Sequence, residues 1–365
     1  MQLSKEESIS LYLVKAIGIT SVVFGHYVGF IKILNPYYFH IPLFFFIGGI
    51  TLKDTFNVRH LLKSIGSLLS YLVTRYIIIG WLSILLIYIG FTSLSDPFGN
   101  GIIDSIIKAY AGNMHNNQLF LVAWFLVAYI FALVICTIVV FLSKSLPATD
   151  FSKTSLLIFL SMLSGVLALN FFSAEYQESH KQIYNLITQS MYGSMFILIG
   201  YLGRKFVFRA HSLSALLLSI TLTTVIMVVY KTTPMTMSWS EYKDGFFIST
   251  LIALLIIYCI FILSNAFAKF INEKSIIILI GKCTKSIMTW HLSVFILIDL
   301  IFSITDKSRP LASLGPFEHF HNKFSIATYT LAGVLIPALL VKLNVIGKFK
   351  VMYQKVSQRW WTEHR

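Results

Sequence analysis

The chain has 365 residues, of which 56% are hydrophobic and only 12% are charged, with a mean hydropathy of +0.77. A soluble domain is about a quarter charged, so this composition excludes an ordinary soluble enzyme, a disordered protein and a disulfide scaffold. The formal net charge is +14, from 29 Lys and Arg against 15 Asp and Glu. Because the basic residues lie in short segments between apolar runs, we expect lipid headgroups and an anionic cofactor as their partners, rather than nucleic acid.

The sequence does not indicate a removable signal peptide, a disulfide or a cysteine-based metal site. The polar start, MQLSKEESIS, leads into an apolar segment that contains Lys15 and His26 and has no small-residue cleavage site, which argues against a removable signal peptide. The three cysteines, Cys136, Cys259 and Cys283, lie in or beside apolar runs without CxxC or Cys/His spacing. They predict neither a disulfide nor a metal site.

Ten apolar runs approach the length of about 20 residues that a helix needs to cross a bilayer. Their approximate limits are 11–30, 38–52, 76–94, 118–142, 155–173, 190–207, 212–230, 245–268, 276–303 and 324–342. The second run is short for a full span. The stretch 61–74 fits either an amphipathic interfacial segment or an early start of the third helix. The sequence therefore predicts an all-α fold, a polytopic membrane helix bundle of about ten transmembrane helices.

The positions of Lys and Arg predict the orientation of these helices, because cytoplasmic loops carry the excess of basic residues. If the N-terminus is inside, the inner segments hold 20 Lys and Arg residues, the outer segments hold 8, and Lys15 lies within a span. This distribution predicts that both termini are cytoplasmic. We interpret residues 1–342 as one transmembrane domain and residues 343–365 as a basic cytoplasmic tail.

Ionisable side chains within predicted spans are costly and mark candidate sites. Lys15 and His26 are eleven positions apart, about 20° beyond three full helical turns and about 16 Å along the axis, so they share one face. They could line a single passage, with His26 as a general base for a hydroxyl group. The alternative is that Lys15 extends to the inner headgroups and His26 is a packed histidine.

Other polar residues leave similar alternatives open. His40 fits a site or a solvated loop, His291 fits a site or a hydrogen bond to a neighbouring helix, and Asp299 fits a site or exposure at the outer interface. A zinc ion could in principle be bound by His26, His40 and His291. The sequence has no HExxH motif or close His/Asp pair, however, so we predict no metal site. In FHIPLFFFIGG, Pro42 is placed to start or kink the second helix, with a glycine pair at 48–49 where two backbones could approach closely.

Five segments resemble motifs of the bacterial acyltransferase family 3, in the order that this family uses. They are LVKAIGITSVVFGH, FHIPLFFFIGG, AWFLVAYI, LIGYLGRK and IGKCTKSIMTWH. The resemblance extends from about residue 11 to residue 291, and the sub-type similar to fucose 4-O-acetylase fits best. It implies a multi-pass O-acyltransferase of the bacterial inner (plasma) membrane. Such an enzyme moves an acetyl or other short acyl group from acetyl-CoA or another acyl-CoA to a hydroxyl of a surface polysaccharide or its lipid-linked precursor.

The resemblance also implies roles for particular residues. Lys15 and His26 match the family's basic residue and histidine, which have ten intervening positions between them, and this histidine serves acyl transfer. Arg75 matches an arginine at the inner start of the third helix, which contacts acyl-CoA. The sequence departs from the family at Gly48, where a serine is usual. It departs again at position 15, where many members have an arginine, because a lysine offers a cation without a bidentate fork.

The charges agree with an acyl-CoA site at the inner mouth, because the CoA phosphates are anionic. The basic residues predicted to contact them are Lys15, Arg75, Arg204 and Lys205. The acyl thioester would extend toward His26, where an acceptor hydroxyl arrives from the outer side. The residues assigned to the acceptor or to a secondary site are His40, His291 and Asp299. No GxSxG motif is present, which favours direct transfer over an acyl-serine intermediate.

Two other functions compete with this interpretation. An exporter or flippase of a surface glycan or lipid-linked sugar would also need a polytopic bundle with a few buried charges, although the chain shows no paired broken helices or internal symmetry. A glycan polymerase usually has a large outer loop with several arginines. The longest predicted outer loop, 92–117, has no arginine, and Lys108 is its one basic residue of the Lys or Arg type. As partners we therefore expect acyl-CoA, a glycan acceptor and membrane lipids. A homo-oligomer is compatible with the sequence, and no permanently bound cofactor is expected.

Overall fold

The computed structural model describes residues 3–27, 35–55, 57–305 and 309–343. Its helices, in chain order, are α1 (Lys5–Gly25), α2 (His40–Ile50), α3 (Val58–Tyr88), α4 (Ile102–Ala111), α5 (Ala123–Ser145), α6 (Asp150–Leu167), α7 (Ser173–Ser179), α8 (Gln182–Val207), α9 (Leu213–Val229), α10 (Gly245–Ala268), α11 (Ile276–Lys282), α12 (Thr284–Thr305) and α13 (Ser325–Lys342). No strand occurs within these ranges, so the predicted all-α fold is confirmed. The predicted basic tail lies outside the described residues, apart from position 343.

Eight helical segments of the described chain are long and apolar enough to cross a membrane. One of them joins α6 and α7 through a π-helical turn at Ala168–Phe172. The shorter apolar helices α2 and α9 bring the set to the ten runs predicted from the sequence. The protein is therefore a multi-pass membrane protein. The amphipathic helix α4 was not predicted as a helix, and its apolar side chains, such as Ile102 and Ile103, are exposed.

The first helix begins earlier than the apolar run, because the polar residues before the run form a capping box. The Ser4 hydroxyl accepts a hydrogen bond from the Glu7 N–H at 3.2 Å, and the Glu7 carboxylate accepts one from the Ser4 N–H at 2.7 Å. These two bonds satisfy backbone donors that a helix start otherwise leaves unpaired. The sequence SKEE thus sets the start of α1 at Lys5.

The third helix is longer than its apolar run, which resolves the alternatives for residues 61–74. The Asn57 side chain accepts a hydrogen bond from the His60 N–H at 3.0 Å, and α3 then continues without a break from Val58. The stretch is therefore an early start of the helix and not a separate interfacial segment. As a consequence, Arg75 lies well inside α3. Its predicted position at the start of the third helix is wrong, because no proline interrupts the helix before it.

Glycines allow α2 and α8 to touch through their backbones. A Cβ atom added to Gly49 would overlap the carbonyl oxygen of Ile197, and one added to Gly200 would overlap that of Phe46. Lipid offers no hydrophobic drive for helix association, so close packing through small residues holds membrane helices together. The predicted close approach of two backbones is confirmed at Gly49, whereas Gly48 packs against a side chain of α5. Pro42 lies in the first turn of α2, where a proline does not interrupt the helix.

The first helix packs in the middle of the bundle. A Cβ atom on Gly281 of α11 would overlap the carbonyl oxygen of Tyr12, and one on Gly333 of α13 would lie 2.9 Å from Val23. The Ser286 hydroxyl, near the start of α12, donates to the carbonyl of Pro337, near the end of α13. These contacts place the start of α1 and the end of α13 on the same side of the bundle. This agrees with an even number of spans, and the cytoplasmic location of that side stays a prediction.

We expect Gly49→Ala to lower the stability of the folded protein by about 1–3 kcal/mol, because the new methyl group pushes α2 away from α8. The matched control is Gly66→Ala in α3, where an added Cβ meets no atom of the described residues within 4 Å and helix propensity improves. Thermal unfolding of both variants in detergent measures the difference. An unchanged melting temperature for Gly49→Ala would contradict the proposed backbone contact.

Candidate active site

A cavity of about 410 Å³ follows the face of α1 that carries Lys15 and His26. Lys15 lines one end, together with Lys285 of α12, and His26 lines the other. The helix between them contributes Ile19 and Val22 to the wall, and α2 and α5 add aromatic side chains. The two residues therefore share one passage, as their spacing along the helix predicts. Their roles in the passage remain predictions.

Several cations surround the end of the cavity at Lys15. The Lys15 ammonium lies 5.7 Å from the ring centre of Tyr12, and the Lys285 ammonium lies 5.8 Å from that of Tyr71. The Arg75 guanidinium lies 5.5 Å from the same Tyr71 ring, so it stands beside the cavity end rather than in its wall. Lys285 was not singled out from the sequence. Its position next to Lys15 depends on how α12 packs against α1.

Arg204 is held by a carboxylate and does not line the cavity. Its guanidinium donates to both carboxylate oxygens of Asp54, at 2.8 and 3.0 Å, and Lys144 and Tyr201 donate to one of them. Burial by itself raises the pKa of Asp54, but the hydrogen bonds from Lys144, Arg204 and Tyr201 outweigh it and hold the pKa well below its usual value. Lys205, next in the chain, is exposed. Neither Arg204 nor Lys205 is among the described residues that line the cavity with Lys15.

Two imidazoles meet at the other end of the site. The His26 and His291 rings have centroids 5.2 Å apart, and both side chains are buried. His291 Nδ1 lies 3.0 and 2.9 Å from the carbonyl oxygens of Ile287 and Met288, so it carries the proton and leaves Nε2 as an acceptor. Among the described residues, His291 Nε2 and His26 Nδ1 have no hydrogen-bond partner. The pair therefore has free proton-accepting capacity next to the cavity.

His40 and the unpredicted residue His115 line the same end of the cavity. His40 is buried and donates from Nδ1 to the Pro36 carbonyl at 2.6 Å, so the solvated-loop interpretation is wrong. It is enclosed because residues 36–38 fold back as a short 3-10 helix. The His115 ring lies 4.6 Å from the ring of Trp239. Among the described residues, no group of three or more His, Cys, Asp or Glu side chains could hold a metal ion.

Asp299 is fully buried, which contradicts exposure at the outer interface, and it is not part of the cavity wall. Its carboxylate accepts hydrogen bonds from the Tyr329 hydroxyl at 2.5 Å, from His319 Nδ1 at 2.8 Å and from the Phe320 N–H at 3.3 Å. The residue therefore anchors the segment between α12 and α13. His319 was not singled out from the sequence, because nothing in the local pattern FEHFH shows which histidine turns inward.

The unusual glycine at position 48 has a structural explanation. A Cβ atom on Gly48 would lie 2.7 Å from the Tyr129 hydroxyl oxygen and 2.9 Å from a ring carbon of the same residue. Tyr129 lines the cavity from α5, so its ring occupies the space that a side chain at position 48 would need. The aromatic residue on the facing helix therefore leaves no room for a side chain at position 48.

A model of the acyltransferase domain of acyltransferase family 3 matches residues 8–343. This match spans the helices from α1 to α13, including the last helix, which the sequence motifs did not reach. The chain belongs to acyltransferase family 3. It is therefore a membrane acyltransferase, and the match does not extend to the sub-type similar to fucose 4-O-acetylase. No curated protein and no solved structure matches the chain significantly.

We expect Asp54→Asn to destabilise this acyltransferase by about 1 kcal/mol at neutral pH, because Arg204 and Lys144 lose their shared carboxylate. The pKa of Asp54 is lower in the folded state. The carboxylate therefore stabilises the fold above its unfolded pKa of about 3.9, and this contribution is lost as the pH falls toward the folded pKa. The control is Glu273→Gln, which removes the exposed pair with Lys5. Thermal unfolding at pH 7 checks both, and equal melting temperatures for the two variants would contradict the expectation.

Proposed function

We propose that this protein transfers an acetyl or other short acyl group from cytoplasmic acyl-CoA to a hydroxyl of a cell-surface polysaccharide or its lipid-linked precursor. It would do so in the bacterial inner (plasma) membrane. The observation that carries the proposal is a single cavity with Lys15 and Lys285 at one end and His26 at the other. A donor that has an anionic head and a reactive thioester at the end of a long arm matches this arrangement.

The donor would enter from the cationic end. The CoA phosphates would contact Lys15 and Lys285, with Arg75 adding to the positive potential from beside the opening. The cavity wall between the two ends contains Ile19, Val22 and aromatic side chains, and it suits the uncharged arm and the acyl thioester. Arg204 and Lys205 would then act only on parts of the donor outside the cavity.

The chemistry would take place at His26. An acceptor hydroxyl would lose its proton to the imidazole while its oxygen attacks the thioester carbonyl. The new C–O bond forms, the C–S bond breaks, and the CoA thiolate leaves and takes up a proton. His291 would orient His26, because its free Nε2 can accept the Nδ1–H of His26 through a water molecule and so direct the other His26 nitrogen to the hydroxyl.

The acceptor would approach at the opposite end from the CoA phosphates. His40, His115 and Trp239 line that end, together with Thr236 and Ser238. Aromatic faces and hydroxyl groups at a cavity mouth suit a sugar, which has apolar C–H faces and many hydroxyl groups. Asp299 would not touch the acceptor, because its carboxylate is occupied by three donors away from the cavity wall.

His26→Ala should lower acyl transfer by about 10²–10⁴-fold, the usual contribution of a general base, without loss of expression. The control is His211→Ala, because His211 is exposed. CoA thiol release from acetyl-CoA by purified protein measures the reaction. Analysis by NMR of ester groups on the surface polysaccharide tests the acceptor in cells with the gene deleted or replaced by the variant. Normal transfer by a well-expressed His26→Ala protein would refute the mechanism, and polysaccharide missing from the surface with unchanged ester content would favour an exporter.

Lys15→Ala and Lys285→Ala should each raise the Kd for acetyl-CoA about tenfold, the value of one charge-assisted contact to a phosphate. Arg75→Ala should give a smaller rise, because Arg75 stands beside the cavity end. The control is Lys269→Ala, an exposed lysine at the end of α10. Calorimetric titration with acetyl-CoA measures these values, and an unchanged Kd in both cavity variants would show that the phosphates bind elsewhere.

A further inference from the structure

We propose that Phe317 closes the outer end of the cavity above His26 and keeps water away from the donor thioester. We further propose that the buried Asp299 and His319 pair is the positioning device that holds Phe317 there. This inference rests on the proposed function, because it concerns the fate of the same thioester. It assigns a role to the segment between α12 and α13, which contributes no residue to the proton transfer itself.

Phe317 lies next to the proposed base. Its ring centroid is 6.2 Å from that of His26, with the two planes tilted by 32°. The side chain is 41% exposed and also lines the cavity, so one part of it faces outward and another faces the site. An apolar ring in this position covers the proposed base from the outer side.

The turn that carries Phe317 is held on both sides. The Gly315 N–H donates to the Glu318 carbonyl at 3.1 Å, and the Glu318 N–H donates back to the Gly315 carbonyl at 3.3 Å, which places Phe317 at the tip of a tight turn. Before the turn, the Leu314 carbonyl accepts a hydrogen bond from the Ser93 hydroxyl. After it, His319 enters the core, where it is fully buried.

Both ring nitrogens of His319 have a hydrogen-bond partner. Its Nδ1 lies 2.8 Å from an Asp299 carboxylate oxygen, and its Nε2 lies 3.2 Å from the carbonyl of Pro316 within the turn. Each ring nitrogen thus lies within hydrogen-bond distance of an oxygen atom. Asp299 accepts two further hydrogen bonds, from Tyr329 and from the Phe320 N–H. A buried pair of this kind contributes more to a specific geometry than to stability.

The same cluster connects the turn to α1. The Tyr27 hydroxyl donates to the Phe320 carbonyl at 3.2 Å, and its ring stacks on His319 with centroids 5.8 Å apart. Tyr27 follows His26 directly in the chain. The distance between Phe317 and His26 is therefore set from both partners, through His319 on one side and through Tyr27 on the other.

Water exclusion matters because the same base can activate two nucleophiles. If His26 removes a proton from water instead of a sugar hydroxyl, the oxygen of water attacks the thioester carbonyl. The C–S bond then breaks, and the products are a free carboxylic acid and CoA thiol. A closed and dry site suppresses this side reaction while the donor waits for its acceptor. Phe317 is placed to provide that closure, and the acceptor would displace it or pass beside it.

The first test is Phe317→Ala, with Phe317→Leu as the conservative variant. The control is Phe324→Ala, because Phe324 is exposed at the start of α13. CoA thiol release from acetyl-CoA is measured without acceptor, as hydrolysis, and ester formation is measured with acceptor. We expect the ratio of hydrolysis to transfer to rise at least tenfold in Phe317→Ala and less in Phe317→Leu. An unchanged ratio in Phe317→Ala would overturn the inference.

The second test addresses the positioning pair. Asp299→Asn should raise the ratio of hydrolysis to transfer and leave the Kd for acetyl-CoA unchanged. Combining it with Phe317→Ala should raise the ratio no further, because both substitutions act through the Phe317 ring. Tyr329→Phe removes one hydrogen bond to Asp299 and keeps the ring, so it tests the same coupling if Asp299→Asn does not fold. Additive effects in the double variant would overturn the positioning role.

The unmodified protein distinguishes failure of the proposed acyl transfer from failure of the role proposed for Phe317. If it neither releases CoA thiol nor forms an ester, the proposed function is refuted. If it transfers acyl groups normally, and Phe317→Ala shows the same ratio of hydrolysis to transfer as the unmodified protein, only the role of Phe317 is refuted.

Discussion

Direct contact between helix backbones at glycine positions is the constraint on which the rest of the structure depends. Gly49 and Gly200 let α2 rest on α8, and Gly281 lets α11 rest on α1. In a bilayer such packing replaces the hydrophobic drive that water provides for soluble proteins. These contacts set the positions of α1 and α2, which supply Lys15, His26 and His40 to one cavity. A change in either backbone contact would move the helices that carry these residues.

Pairing of charges separates the residues that hold the structure from those that remain available to a substrate. Arg204 forms an ion pair with Asp54, and His319 is hydrogen-bonded to Asp299. Both arrangements satisfy the buried or partly buried groups with several hydrogen bonds, which a low-dielectric environment demands. Lys15 instead lines an open volume, and His26 has a ring nitrogen without a partner among the described residues. The charges that fold the chain are thus distinct from those placed to act on an anionic donor.

Much of the fold and part of the site could be predicted, for reasons that differ between elements. The spans follow from the lengths of apolar runs, and Lys15 and His26 share a face because both belong to one helix of known pitch. The length of α3 was underestimated, because a helix continues through an amphipathic stretch as long as no residue breaks it. Lys285 and Phe317 were not assigned to the site, because their positions depend on contacts between segments that are distant in the chain.

The sequence by itself determined that this protein is a multi-pass helical membrane protein, that it belongs to an acyltransferase family, and that a lysine and a histidine lie along one face of its first helix. These properties depend on composition, on local periodicity and on motifs. Only the tertiary structure decided which cations meet at one end of the cavity, that His291 lies against His26, and that Asp299 and His319 form a buried pair. Such pairings arise from the packing of helices far apart in sequence, and no local pattern encodes the distance between two side chains on different helices.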